Sequence, residues 1–232
     1  MYRRMLLLAW AVSAAWPCAA GDVAFSGVLP NGAVYRQPVE SMQERRFRNL
    51  VRQHTDYSCG AAALATVLRY AYHLEADEST VIEGMMGVSD PALVRQRGFS
   101  LLDIKRYVES LGMRGRGYRI SEERLRSLRV PGLVLMDVRG FRHFVVLKQV
   151  RGDMAELADP ILGNRLLPLQ DFLAAWPSRA VFIVIGSDFD RNTVLLLPSE
   201  KPSARALYAR QGAAAITDAE LVDFGFTHAD LF

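Results

Sequence analysis

The sequence predicts an α+β fold, because helical patterns come first along the chain and strand patterns follow them. Residues 60–130 contain runs that are rich in Ala and Leu or that begin with helix-capping residues. Residues 133–185 contain short β-branched and alternating runs separated by tight turns. No repeat, coiled-coil heptad or Rossmann-type alternation interrupts this order. We therefore expect N-terminal helices packed on a C-terminal antiparallel sheet.

Helical patterns cover residues 60–72, 77–86, 100–112 and 121–130. The first is the strongest, since it is rich in Ala and Leu and contains no helix breaker. Asp56 and Ser58 stand just before it as candidate capping residues. Ser100 and Asp103 have the spacing of a capping box, which indicates the start of the third helix.

Strand patterns cover residues 133–138, 141–150, 155–158 and 180–185. Their β-branched and apolar residues are typical of strands that pack on a core. Arg139-Gly140 and residues 151–153 separate the first three runs and predict tight turns. Short turns between successive strands favour an antiparallel arrangement.

The first twenty residues have the layout of a secretory signal peptide. Arg3 and Arg4 precede an apolar run over residues 5–16, and Cys18-Ala19-Ala20 offers small residues before Gly21. The run is shorter than the roughly 20 apolar residues that a membrane helix needs. We therefore expect residues 1–20 to be removed, leaving a periplasmic protein without stable membrane insertion. Lipid attachment at Cys18 is the less favoured alternative.

The remaining chain divides into three parts. Residues 21–50 form an N-terminal arm with one or two short strands, residues 51–187 form the main domain, and residues 188–232 form a C-terminal extension. Arginines are scattered among acidic residues, and loss of Arg3 and Arg4 lowers the formal net charge from +3 to +1. This charge pattern is typical of a solvated surface and gives no indication of nucleic-acid binding.

Cys59 is the only cysteine left after loss of the signal peptide. A lone thiol is a liability in an oxidising compartment, so a catalytic role would explain its presence. Its position at the start of the strongest helix favours the thiolate, which is the nucleophilic form. The alternative is a small buried hydrophobic residue. No cofactor is indicated, and one cysteine with dispersed histidines gives no metal-ligand spacing.

Three further residues are candidates for the same site. His143 lies in a strand pattern, from which an imidazole can reach a helix N-terminus across a cleft. Asp159 precedes Pro160 one strand later, and Gln53 stands six residues before Cys59. A looped Gln53 amide could stabilise an oxyanion together with a backbone N–H. Taken singly, each has an ordinary alternative: a structural histidine, a turn aspartate and a surface glutamine.

Taken together, these motifs resemble the peptidase C39 family of bacterial papain-like cysteine peptidases, which cut leader peptides after a double glycine. The resemblance runs from about residue 51 to residue 185 and rests on Gln53 with residues 56–62, on residues 143–147, and on residues 158–160. It implies a papain-like fold and roles for four residues. These are nucleophile for Cys59, base and then acid for His143, orienting residue for Asp159 and oxyanion donor for Gln53.

The export signal and the lack of a fused transporter are more similar to the stand-alone periplasmic members that accompany bacterial functional amyloid or pilus-like systems. That resemblance implies a polypeptide substrate, such as a secreted subunit or its export machinery. Two other function classes stay open: a non-cleaving substrate-binding or chaperone-like protein, and a thiol acyltransferase that passes the thioester to an amine. Cys59, His143 and Asp159 alone do not distinguish these classes, although the presence of all four site residues favours a catalytic protein over a binding protein.

Overall fold

The computed structural model describes residues 22–25, 35–38, 40–138 and 140–198. The predicted signal peptide and the chain beyond residue 198 lie outside these described residues. The helices are α1 Met42–Arg46, α2 Cys59–Tyr72, α3 Glu78–Met86, α4 Pro91–Arg97, α5 Leu101–Ser110, α6 Glu122–Arg126 and α7 Leu169–Ala175, with a 3₁₀ turn at Val194–Leu196. The strands are β1 Asp22–Phe25, β2 Tyr35–Pro38, β3 Arg114–Arg119, β4 Gly132–Val138, β5 Phe141–Arg151, β6 Met154–Asp159, β7 Gly163–Pro168 and β8 Ala180–Ile185.

A six-stranded antiparallel sheet forms the second half of the domain, in the order β3-β8-β4-β5-β6-β7. The predicted α+β class, with helices before an antiparallel sheet, is confirmed. The four predicted strands are β4, β5, β6 and β8, which form the centre of the sheet together. The patterns did not indicate β3 and β7, which are the two edge strands. Strands β1 and β2 pair as a separate two-stranded ribbon.

Helix α2 is the centre of the helical half. Nearly all of its residues are buried, and the small alanines allow neighbouring elements to approach closely. Its first turn packs on β5 at Gly60, where an added Cβ would lie 3.2 Å from the Phe144 ring. This contact brings the N-terminal end of α2 against the residue that follows His143.

The ends of the helices explain where they start. Ser100 and Asp103 form the predicted capping box of α5, and Asp77 caps α3 by accepting from the N–H of Thr80. The expectation for α2 was wrong in detail. Ser58 stands at the N-cap position, but its hydroxyl makes no capping bond to the helix and lies 2.8 Å from the Thr55 carbonyl oxygen.

Each face of the sheet covers its own apolar cluster. The cluster beneath α2 and α5 includes Leu64, Phe144 and Val146. The cluster on the opposite face is covered by α7, whose Phe172 is fully buried beside Trp176. Central strands buried on both faces give near-continuous apolar runs such as that of β5. None of the described helices has the length and apolar character needed to cross a membrane.

The turn between β6 and β7 is fastened to the segment around α1. Asn164 donates its side-chain amide to the carbonyls of Arg46 and Arg48, and Arg46 donates its Nε to the Leu162 carbonyl. Gly163 has a φ of +82°, and an added Cβ would lie 2.6 Å from the Arg46 carbonyl oxygen. The turn that follows Asp159 therefore packs tightly on the backbone around Arg46, which cannot easily move.

We predict that Gly163→Ala destabilises the domain by about 2–4 kcal/mol, because left-handed backbone strain adds to an overpacked contact. Gly152→Ala is the matched control, since Gly152 also has a positive φ of 56° but has open space around its Cβ direction. We expect the control to lose only about 1–2 kcal/mol. Chemical denaturation of both variants measures the difference, and equal losses would show that the contact with Arg46 contributes nothing.

Candidate active site

His143 and Asp159 lie on neighbouring strands and face the same side of the sheet. Val146 of β5 pairs directly with Ala158 of β6. This register puts His143, near the start of β5, close to Asp159 at the end of β6. The His143 Nε2 lies 2.9 Å from the Asp159 Oδ1, and both side chains are almost fully buried.

The Asp159 carboxylate interacts with several hydrogen-bond donors and one guanidinium group. Besides the histidine, its Oδ1 accepts from the backbone N–H groups of Ile161 and Leu162, at 2.9 and 3.0 Å. Its Oδ2 lies 3.5 Å from the Arg165 guanidinium. Burial raises the pKa of Asp159, but the hydrogen bonds from His143 and the turn N–H groups outweigh burial and lower it below its ordinary value. The carboxylate is therefore ionised at neutral pH.

The His143 ring interacts with both Asp159 and Cys59. Burial alone lowers the pKa of His143, but the hydrogen bond to Asp159 and the neighbouring Cys59 raise it more, to about 9. Since Asp159 occupies Nε2, the remaining ring nitrogen, Nδ1, is the one available to Cys59. Nδ1 is buried and has no hydrogen-bond partner among the described residues. The exposed Phe141 ring stacks on the imidazole, with ring centroids 6.1 Å apart.

Cys59 is the first residue of α2 and is half-buried. It is not part of a disulfide, and it lies at the helix end where the first N–H groups have no partner within the helix. The close packing of Gly60 on Phe144 brings this helix end to the His143 strand. The structure thus brings Cys59, His143 and Asp159 together from three different elements, an arrangement that we call the array.

Gln53 lies beside the same array, on the segment that leads to Cys59. Its backbone N–H donates to the Pro160 carbonyl at 2.9 Å, which ties this segment to the turn after Asp159. Its side-chain Nε2 donates one N–H to the Thr55 carbonyl at 2.5 Å. The amide has a second N–H, which this bond leaves free for another acceptor.

The array is suited to acyl transfer through a thiol. A protonated His143 can stabilise a Cys59 thiolate and later give its proton to a leaving amine. The two other histidines in the described part of the chain have different partners: His54 bonds to Glu78, and His73 bonds to Asp190. Within residues 40–138 and 140–198, no cluster of three or more His, Cys, Asp or Glu side chains is arranged to bind a metal ion. Arg165 and Glu78 are neighbours of the site that the sequence patterns did not indicate.

The sequence profile of the peptidase C39 family matches residues 48–188. The chain is 48% identical over 218 residues to the "Probable functional amyloid protease FapD" of Pseudomonas fluorescens, covering 94% of this chain and 95% of that protein. The protein of the same name from Pseudomonas aeruginosa is 48% identical over 213 residues, covering 92% of each chain.

A solved structure shares the fold. It is described as a double glycine motif protease from an AMS/PCAT transporter in complex with the leader peptide. It is 28% identical, with a TM-score of 0.50, and the alignment covers 60% of this chain and 91% of that one. The papain-like α+β fold expected from the sequence is confirmed by this likeness together with the six-stranded sheet.

We predict that the His143 ring titrates with a midpoint near pH 9, because the Asp159 carboxylate and Cys59 favour the imidazolium. The ring is then fully protonated below its ordinary pKa of about 6.5 and loses the proton only as the pH rises through about 9. Asp159→Asn removes the carboxylate charge and should move the midpoint to lower pH. Histidine NMR titration measures both values, with His143→Ala identifying the resonance. An unshifted midpoint in Asp159→Asn would contradict the assigned partner.

Proposed function

Because the chain belongs to the peptidase C39 family of cysteine peptidases, we propose that it is a periplasmic endopeptidase that cuts a secreted polypeptide after small residues, at a double glycine. Cys59 is the nucleophile, His143 the base and then the acid, Asp159 the orienting residue and Gln53 an oxyanion donor. The observation that carries this proposal is the buried hydrogen bond between His143 Nε2 and Asp159, on a ring whose pKa the neighbouring Cys59 also raises.

The first half of the reaction acylates the enzyme. The Cys59 thiolate attacks the substrate carbonyl carbon, forming a C–S bond and placing negative charge on the carbonyl oxygen. The free N–H of the Gln53 amide and the Cys59 backbone N–H stabilise that oxygen. His143 Nδ1 gives its proton to the leaving amine as the C–N bond breaks. A thioester at Cys59 remains.

The second half releases the product. The neutral His143 takes a proton from water through Nδ1, and the resulting hydroxide adds to the thioester carbonyl. Collapse of this tetrahedral species breaks the C–S bond, releases the carboxylic acid product and restores the thiolate beside the imidazolium. Throughout both halves, Asp159 fixes the ring orientation through Nε2 and stabilises its positive charge.

The substrate assignment rests on relatives. The proteins from two Pseudomonas species that share 48% identity are named as functional amyloid proteases, and a 28% identical neighbour is described as a double glycine motif protease bound to a leader peptide. We therefore propose a secreted amyloid-type subunit, or a polypeptide of its export machinery, as the substrate. The Gly-Gly preference follows from the second likeness.

The periplasmic location rests on residues 1–20, whose charged start, apolar run and small residues before Gly21 have the layout of a signal peptide. Mass spectrometry of protein recovered from the periplasmic fraction should find an N-terminus at Gly21. Retention of residues before Ala20, or a lipid on Cys18, would contradict this location.

We predict that the protein cleaves an internally quenched peptide containing a Gly-Gly pair and spares the same peptide with Val-Val at those positions. Cys59→Ala should abolish cleavage, because the remaining groups have no nucleophile to activate, while the Gly-Gly peptide still binds. Fluorescence release measures cleavage and polarisation measures binding. Asp90→Asn, at the exposed cap of α4, is the matched control and should cleave at the wild-type rate.

The same assay separates the alternative functions. Mass spectrometry of the products in the presence of a primary amine distinguishes the acid from a new amide. A product that is mainly amide would make the protein an acyltransferase. Tight binding of the Gly-Gly peptide with no product at all would make it a substrate-binding protein.

We predict that Gln53→Ala lowers kcat by about 10²–10³-fold, equivalent to about 3–4 kcal/mol, with little change in KM. The amide is expected to contact only the charged oxygen that forms after Cys59 attacks, so the ground state loses nothing. Steady-state kinetics on the Gly-Gly peptide give both constants. A normal kcat with a raised KM would instead place the side chain on the substrate.

A further inference from the structure

A buried carboxylate outside the triad lies next to the segment that leads to the nucleophile. Glu78 is the first residue of α3 and is only 5% exposed. We call residues 53–58 the nucleophile loop, because they connect Gln53 to the residue before Cys59. Buried carboxylates are rare in proteins unless hydrogen bonds satisfy them, so the partners of Glu78 indicate what it does.

All the hydrogen-bond donors recorded for Glu78 in the described part of the chain belong to the nucleophile loop. The backbone N–H of His54 lies 2.9 and 3.0 Å from the two carboxylate oxygens, and that of Thr55 lies 3.3 Å from Oε1. The Ser58 hydroxyl also donates to Oε1, and the His54 Nδ1 lies 2.6 Å from Oε2. One side chain thus binds the loop at its beginning and its end.

The electrostatics agree with this arrangement. Burial raises the pKa of Glu78, but the hydrogen bonds from Ser58, His54 and Thr55 outweigh burial and lower it below its ordinary value. The group is an ionised carboxylate at neutral pH, and an ionised carboxylate is purely an acceptor. Hydrogen bonds to a charged acceptor are about twice as strong as neutral ones, so the loop is held firmly.

The loop carries this constraint to the Gln53 side chain. The Thr55 carbonyl accepts from the Gln53 amide at 2.5 Å, and the Ser58 hydroxyl oxygen lies 2.8 Å from the same carbonyl oxygen. Glu78 fixes both Thr55 and Ser58 from the other side. The position of Thr55 therefore decides where the second N–H of the Gln53 amide points.

We propose that Glu78 is a positioning residue for the oxyanion hole, which acts by fixing the nucleophile loop so that the Gln53 amide meets the developing oxyanion. This inference rests on the proposed role of Gln53. A purely structural role as the cap of α3 is already filled by Asp77, whose carboxylate accepts from the Thr80 N–H. Glu78 makes its bonds away from its own helix.

A double-mutant cycle tests the inference on the full mature chain, using the quenched Gly-Gly peptide. In Glu78→Gln one oxygen becomes an amide nitrogen and the charge is lost, so the loop is held less firmly. We expect kcat to fall about tenfold to a hundredfold with KM nearly unchanged, as for a misplaced catalytic group. In the Gln53→Ala background the same substitution should change kcat less than about twofold, because the group that it positions is gone.

If the Glu78→Gln protein does not fold, a second variant tests the same inference. Ser58→Ala removes one donor to the carboxylate and keeps the backbone bonds, and we expect the same non-additive pattern with a smaller loss. Asp77→Ala is the matched control, since it removes the cap of α3 without touching the loop. It should lower the thermal midpoint and leave kcat within about twofold of wild type.

The outcomes separate the two proposals. Equal losses of kcat from Glu78→Gln in both backgrounds would overturn the positioning role and leave the oxyanion role of Gln53 intact. A folded Glu78→Gln enzyme with wild-type kcat would overturn it as well. A Gln53→Ala enzyme with normal kcat would instead remove the oxyanion donor from the proposed function, and the positioning role with it.

Discussion

The buried hydrogen bond between His143 and Asp159 is the constraint on which the rest of the site depends. Its donors and acceptors come from two adjacent strands, so the register of β5 against β6 fixes their distance. A buried carboxylate without partners would cost several kcal/mol, and here the imidazole and two turn N–H groups supply them. The turn itself is closed against the segment around α1 by Asn164 and Gly163. The orientation of the His143 ring is therefore fixed by the fold.

Cys59 reaches this pair through close packing of the helical half. Gly60 allows the start of α2 to pack closely on Phe144, since an added Cβ would lie 3.2 Å from the ring and the ring would have to shift slightly. The backbone bond from Gln53 to Pro160 then joins the nucleophile loop to the turn after Asp159. Glu78 binds the same loop from α3. In the proposed mechanism two carboxylates thus have complementary tasks: Asp159 orients the base, and Glu78, as we infer, orients the oxyanion donor.

Much of this architecture is visible in the sequence, for physical reasons that differ between elements. The capping box at Ser100 predicts the start of α5, and the apolar run at residues 180–185 predicts β8. At both places the local sequence preference matches the structure that the whole fold requires. Strand β3 was missed because its sequence, Arg-Gly-Arg-Gly-Tyr-Arg, has no apolar alternation. Its Gly115 is required by the Phe182 ring of the neighbouring strand, 2.4 Å from where a Cβ would stand. Such a contact is set by tertiary packing and leaves no local pattern.

The site residues divide in the same way. The motifs around Cys59, His143 and Asp159 were recognisable because their order and neighbours resemble those of a family, and the structure brings all three together. Glu78 was not recognisable, since an acidic residue in the first turn of a helix is the ordinary choice at that position. Only the fold shows that it points to a loop more than twenty residues away in sequence. Likewise, only the structure shows that the Arg165 guanidinium lies close to the Asp159 carboxylate.

Trapping the acyl enzyme tests the central claim, that Cys59 attacks the peptide carbonyl with His143 as its partner, most directly. Acid quenching of the wild-type protein during turnover of a Gly-Gly peptide, followed by mass spectrometry, should find the N-terminal part of the peptide attached to Cys59 as a thioester that hydroxylamine removes. The adduct should be absent in Cys59→Ala and should form far more slowly in His143→Ala. Cleavage of the peptide by Cys59→Ala, or an adduct at any other residue, would contradict the account.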